Sequence, residues 1–136
     1  MKKIATLSLF AAFSLLALSL QAQPINNECA TATSLNDVTN WCSGSGAYTN
    51  VNATLSSNAG QPFCFPDMSS DVWFSFKAEA TTVNITVVGN TAPPNPAGGS
   101  LDNPQFALYA GNCGNLTEVA CASDGFGAGV IESLAS

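Results

Sequence analysis

Apolar and polar positions alternate with a period of two in three stretches of the chain. Val72, Phe74 and Phe76 alternate with Trp73, Ser75 and Lys77, and Val83, Ile85 and Val87 with Thr82, Asn84 and Thr86. Phe106 and Leu108 alternate with Ala107 and Tyr109. Bounded by Gly, Pro and Asn, such runs predict half-buried antiparallel strands whose apolar members face a shared core. Weaker runs predict strands within 30–35, 45–55 and 116–120, and residues 130–134 read as the opening of another. No stretch after residue 22 keeps a 3.6-residue apolar period over three turns. The expected fold is therefore all-β, an antiparallel β-sandwich of jelly-roll or immunoglobulin-like type.

Pro-rich stretches divide these strands. Residues 90–104 and 56–70 each contain prolines that a central strand does not tolerate, so both are expected as surface loops. The second is tethered if Cys64 is bridged. A sandwich stopping soon after residue 130 would leave an unpaired edge, so the domain is expected to be incomplete at its C-terminus.

At the other end, Lys2 and Lys3 precede an apolar run from Ile4 to Leu20, followed by small and polar residues. A basic start, an apolar stretch and a small residue at the cut predict a signal-peptide helix over 1–22, cleaved between Ala22 and Gln23. The run is short for a bilayer span, which needs roughly 20 residues, and no second apolar stretch follows; no stable membrane anchor is expected. The working domain is then 23–136, exported by the Sec route to the extracellular space or cell surface.

Composition removes several functions. Beyond residue 22 one lysine, Lys77, stands against nine carboxylates. Without cations there is no surface to neutralise phosphates, so neither nucleic acid nor an anionic membrane is an expected partner. The chain has no histidine, which excludes a Ser-His-Asp triad, a Cys-His dyad and a His-based zinc site.

Five cysteines lie beyond the leader: Cys29, Cys42, Cys64, Cys113 and Cys121. In an oxidising compartment they are expected to form disulfides rather than a metal site, and no CxxC pair is present. An odd number leaves at least one outside any bridge within the chain. Cys113 and Cys121 enclose a short turn-and-strand segment and are the expected local bridge. Cys29, Cys42 and Cys64 compete for a second, and spacing does not choose among them.

Three kinds of site were weighed. Asp67 and Asp71 form the best carboxylate pair for acid–base work, but such work needs a concave pocket and shifted pKa values, and the expectation is a solvated acidic loop leading into a strand, with no catalytic residue. Calcium is the one metal that loops rich in Asp, Asn and Gly would hold, with Asp102 and Asp124 the first acids to examine; no other cofactor is expected. Trp73 and Tyr109 fall opposite the apolar faces of their strands, where rings form a platform for sugars. Against this, rings so large gain more by packing beneath loops. The Asn-x-Thr triplets at Asn52, Asn84 and Asn115 read as ordinary strand polarity rather than glycosylation sites.

Several segments resemble one family. Pro24-Ile-Asn-Asn-Glu-Cys-Ala-Thr-Ala resembles an "ND-x-C-x-x-A" opening, and Asp71-Val-Trp-Phe-Ser-Phe-Lys-Ala a "DVWYSFTA" strand. Thr82-Val-Asn-Ile-Thr-Val resembles the strand that follows. The segment from Phe106 to Cys121 is similar to "LALYxGxCGxLTxLAC", with Ala122-Ser-Asp-Gly where "NDD" is usual. These are motifs of the bacterial pre-peptidase C-terminal-like domain, a β-sandwich of secreted proteins. The resemblance implies a Bacteroidetes-type exported protein, with any type IX sorting domain lying beyond residue 136. It also implies a Cys29–Cys64 bridge, and places Asp124 where the family has paired acids, Ser123 having replaced one. The function it implies is a non-catalytic accessory module of a larger protein, which binds an extracellular glycan or protein, mediates adhesion, or spaces other domains of the same chain. The alternative is the N-terminal fragment of a secreted peptidase or glycoside hydrolase.

Overall fold

The computed structural model describes residues 22–57, 59–65, 67–90 and 100–123, together with the backbone of 130–135. The leader reading for 1–21 and the Asp124 position lie outside the described residues. Ala22 and Gln23, at the expected cut, are both exposed.

The described fold is all-β apart from one 3₁₀ turn, η1 (Cys29–Thr31). Six strands follow: β1 (Thr33–Leu35), β2 (Phe74–Phe76), β3 (Val83–Val88), β4 (Gln105–Asn112), β5 (Asn115–Ser123) and β6 (Val130–Ala135). They pair as β1–β2, β3–β6 and β4–β5. No helix among the described residues is long and apolar enough to cross a membrane.

Strand β3 shows the expected alternation, with Val83, Ile85 and Val87 half-buried and Asn84 and Thr86 exposed. It runs antiparallel to β6, Val83 opposite Ala135 and Val88 opposite Val130. Strands β4 and β5 form a hairpin closed by Cys113 and Gly114, where Gly114 takes φ +94°. That left-handed backbone suits a residue without Cβ. The register slips between Leu108 and Tyr109, where Val119 is the extra residue of a bulge on β5.

Three expectations need correction. The first concerns direction: β1 and β2 pair in parallel, Thr33 opposite Phe74 and Leu35 opposite Phe76. Parallel neighbours need a long crossover, and the chain between them supplies it. The second concerns 45–55, which forms turns rather than a strand. Gly46 and Asn52 adopt φ +66° and +63°, and turn bonds run from Ala47 N to Gly44 O and from Ala53 N to Asn50 O. Two left-handed residues cannot sit in a ladder, so Asn52 is a turn residue, whereas Asn84 and Asn115 lie exposed on strands.

The third correction concerns which face of β2 is inward. Phe74 is exposed and Trp73 half-buried, the reverse of the alternation reading at these two positions, whereas Val72 and Phe76 are half-buried and Ser75 and Lys77 exposed as expected. A three-residue strand imposes little periodicity, and Trp73 has better partners within, as described below. Among the described residues Ala53, Pro62 and Phe65 are buried, and Pro104 is fully enclosed at the entry to β4. So small a core leaves covalent and polar staples a large share of the stability.

Two disulfides supply the covalent staples. They join Cys29 to Cys113 and Cys64 to Cys121, with Cα–Cα distances of 5.8 and 6.0 Å; Cys42 is a free, exposed thiol. The four bridged cysteines are those expected, but their partners are exchanged. Cys113 sits in the hairpin turn and Cys121 far along β5. At about 3.3 Å per residue an extended strand separates them by roughly 20 Å, whereas a bridge needs Cα atoms within about 7 Å. Each instead crosses to another segment. Cys29 fastens η1 to the hairpin tip, and Cys64 fastens the 56–70 loop to the hairpin's far end.

Candidate functional site

Polar staples converge where the N-terminal segment meets the chain ahead of β2. Trp73 N donates to Asn26 O (2.8 Å), and Thr33 N donates to Trp73 O (2.9 Å). The Asn26 side-chain amide donates to the same Trp73 carbonyl at 3.0 Å. Asn27 clasps Thr54 in both directions, its Oδ1 accepting from Thr54 N (2.7 Å) and its Nδ2 donating to Thr54 Oγ1 (3.0 Å). Asn26, Asn27 and Ser56 are all buried, and buried polar groups persist only when partnered in this way.

Three carboxylates complete the network. Glu28 accepts the Ser56 hydroxyl at 2.9 Å and the Asn27 amide at 3.2 Å. Asp71 accepts Ser56 N and the Trp73 indole N–H, each at 2.7 Å. Glu118 accepts Phe63 N through both carboxylate oxygens, at 3.3 and 3.1 Å, beside the Cys64–Cys121 bridge. Each acid holds a loop to a neighbouring segment, and each of these bonds gains from the carboxylate charge.

Trp73 and Tyr109, the rings expected as a sugar platform, are both half-buried and face each other, centroids 5.9 Å apart and planes tilted 30°. The Tyr109 hydroxyl donates to Gly60 O at 3.2 Å. Burial raises its pKa above the ordinary 10.0, and the nearby Glu118 and Asp71 charges push the same way. Ring, loop and carboxylates thus lock together, which is the satellite-core arrangement rather than an open shelf.

The remaining sequence candidates do not assemble. Asp67 is exposed, while Asp71 is committed to Ser56 and Trp73. Asp102 is exposed and accepts the Asn90 amide at 2.7 Å, closing the base of the 90–104 loop along with Asn90 N to Leu101 O. Among the described residues no three acidic or cysteine side chains gather closely enough to hold a metal ion.

A second aromatic group lies on the surface instead. Phe74, Tyr48 and Trp41 are 36, 43 and 44 % exposed. Tyr48 meets Phe74 edge-to-face at 4.7 Å, and Trp41 lies 6.4 Å from Tyr48 at a 37° tilt. Beside Tyr48 opens a cleft of about 260 Å³ lined by Ile25, Asn26, Thr33, Tyr48 and Thr49, among others. Sequence reasoning placed 45–55 in a strand and missed this group. The available signal was the absence of any charged residue from Val38 to Pro66, a stretch rich in Asn, Ser and Gly that carries Trp41 and Tyr48. Three neighbouring rings are thus left in water on a small domain, an exposed apolar cluster of a kind that single scattered surface rings do not form.

Compared with protein-family models, with curated proteins and with solved structures, the chain matches none.

Proposed function

We propose that this chain is a non-catalytic binding module of a secreted protein, a β-sandwich of the pre-peptidase C-terminal-like type. It adheres to an extracellular glycan or protein, and other domains of the same protein are its covalent neighbours. The exposed Trp41–Tyr48–Phe74 group carries this reading. Aromatic rings contribute large contact area at low entropy cost, and they dominate binding surfaces for that reason. Two disulfides fit an oxidising, extracellular setting and hold the scaffold that presents the rings. Export with cleavage before Gln23 belongs to the same reading, and N-terminal sequencing of the secreted protein tests it.

Retention of the oxidised chain on insoluble polysaccharides and on immobilised extracellular proteins tests adhesion. The chain is expected to be retained on at least one. The Trp41→Ala/Phe74→Ala variant is expected to lose retention while keeping its circular dichroism. Failure to bind any of the surfaces, or undiminished binding by the variant, overturns the proposal.

A further inference from the structure

We propose that the cleft beside Tyr48 is a subsite for one sugar ring of an uncharged polysaccharide, whose neighbouring units run over Trp41 and Phe74. The inference rests on the adhesive reading above and names its ligand.

Size comes first. At about 260 Å³ the cleft falls below the roughly 300–1,000 Å³ of pockets for drug-sized molecules, and so suits a single ring of a longer chain. Lining chemistry comes next. Tyr48 forms one wall and Ile25, almost fully exposed, another; Thr33 and Thr49 add hydroxyl groups, while the buried Asn26 is bonded to Trp73 O. Thr49 Oγ1 accepts Val51 N at 3.1 Å, which leaves its own O–H to donate. A pyranose presents a face of C–H bonds, made partly positive by adjacent oxygens, that lies against an electron-rich ring. Its edge carries hydroxyls that both donate and accept. An apolar protein side chain in the same place would bury the Thr49 hydroxyl proton without an acceptor.

Charge selects among polysaccharides. None of these lining residues is charged, nor is any residue from Val38 to Pro66. The chain as a whole carries −6. An anionic polymer would meet repulsion with no cation to offset it. A basic partner would seek carboxylates, but Glu28, Asp71 and Glu118 are engaged in internal hydrogen bonds away from this cleft. An uncharged ligand has neither problem.

Titration calorimetry of the oxidised chain with soluble neutral polysaccharides (a β-glucan, a xylan and a mannan) tests this, with polygalacturonate as the anionic control. Binding to at least one neutral polymer and not to polygalacturonate is expected, with affinity insensitive to added salt because no ion pair forms. Tyr48→Ala is expected to weaken it at least tenfold and Tyr48→Phe less than about threefold, since the ring face survives. Ile25→Ala alters the facing wall at an exposed position and is expected to weaken binding severalfold, which covers the case of a misfolded Tyr48→Ala. Binding only to polygalacturonate or only to a protein overturns the inference and leaves the adhesive reading standing. Binding to none of the four polymers, together with no retention on the immobilised extracellular proteins, overturns both. Neutral-polymer binding unaffected by Tyr48→Ala and Ile25→Ala places the ligand elsewhere and overturns the cleft assignment.

Discussion

The crossed disulfides can be tested with one protease cut. Beyond residue 22 Lys77 is the only tryptic site, and it is exposed just past β2. Cys29 and Cys64 lie before it, and Cys113 and Cys121 after it. Both bridges therefore span the cut, with sequence separations of 84 and 57 residues. Limited trypsin digestion is expected to leave two fragments that migrate as one species on a non-reducing gel and part only when reductant is added. The local pairing, Cys113 with Cys121 and Cys29 with Cys64, would let the fragments separate without reductant. That result would refute the connectivity and the account of the hairpin as the element to which both loops are fastened. Stability gives an independent measure. In the chain-entropy model, closing the 84-residue separation restricts the unfolded chain by about 4.5 kcal/mol, against about 2.5 kcal/mol for a loop as short as 113–121. The Cys29→Ser/Cys113→Ser variant is accordingly expected to lose about 4–5 kcal/mol in urea unfolding monitored by tryptophan fluorescence. A loss near 1 kcal/mol would mean that the bridge restrains little.

Three further outcomes follow from the polar staples and the hairpin. Asp71→Asn keeps one acceptor oxygen but turns an NH₂ group toward the second donor, so either Ser56 N or the Trp73 indole loses its partner; a loss of about 2–3 kcal/mol in urea unfolding is expected. The Tyr109 phenol, held neutral above its ordinary pKa, contributes stability that is fully present below about pH 10 and lost as pH rises through the raised value. Ultraviolet titration should show this late ionisation, and Tyr109→Phe should abolish both it and the associated alkaline loss of stability. At Gly111, φ is +117° and an added Cβ would lie 2.3 Å from the Asn115 carbonyl oxygen. Gly111→Ala is therefore expected to cost about 2–3 kcal/mol and lower the melting temperature, and an unchanged melting curve would contradict the hairpin geometry.

Local alternation made much of the fold legible and long-range pairing hid the rest. The Val83–Val87 run and the 116–120 segment became strands whose burial alternates residue by residue, and the 130–134 opening became β6 by pairing with β3. The 45–55 stretch misled because Tyr48, Val51 and Leu55 resemble strand residues, while Gly46 and Asn52 beside them hold the left-handed backbone that breaks a ladder. Trp73 misled for another reason. Its orientation is fixed by Asp71 within its own segment but also by Tyr109 and Asn26, which are far away in sequence. The cysteine partners were hidden in the same way, since spacing favours a local bridge while a straight strand forbids it.

The distribution of charge connects these observations to function. A chain with one lysine against nine carboxylates beyond residue 22 has little call to bury its acids, yet three of them serve as internal acceptors. Glu28, Asp71 and Glu118 tie the 54–63 region to the N-terminal segment, to the chain before β2 and to β5. With few buried apolar side chains among the described residues, such bonds and the two bridges take the place of a larger core there. That arrangement frees the aromatic residues that would otherwise be needed inside. Trp41, Tyr48 and Phe74 are left on the surface, in and beside a stretch without charge, and the proposed adhesive role draws on rings that the fold does not need inside.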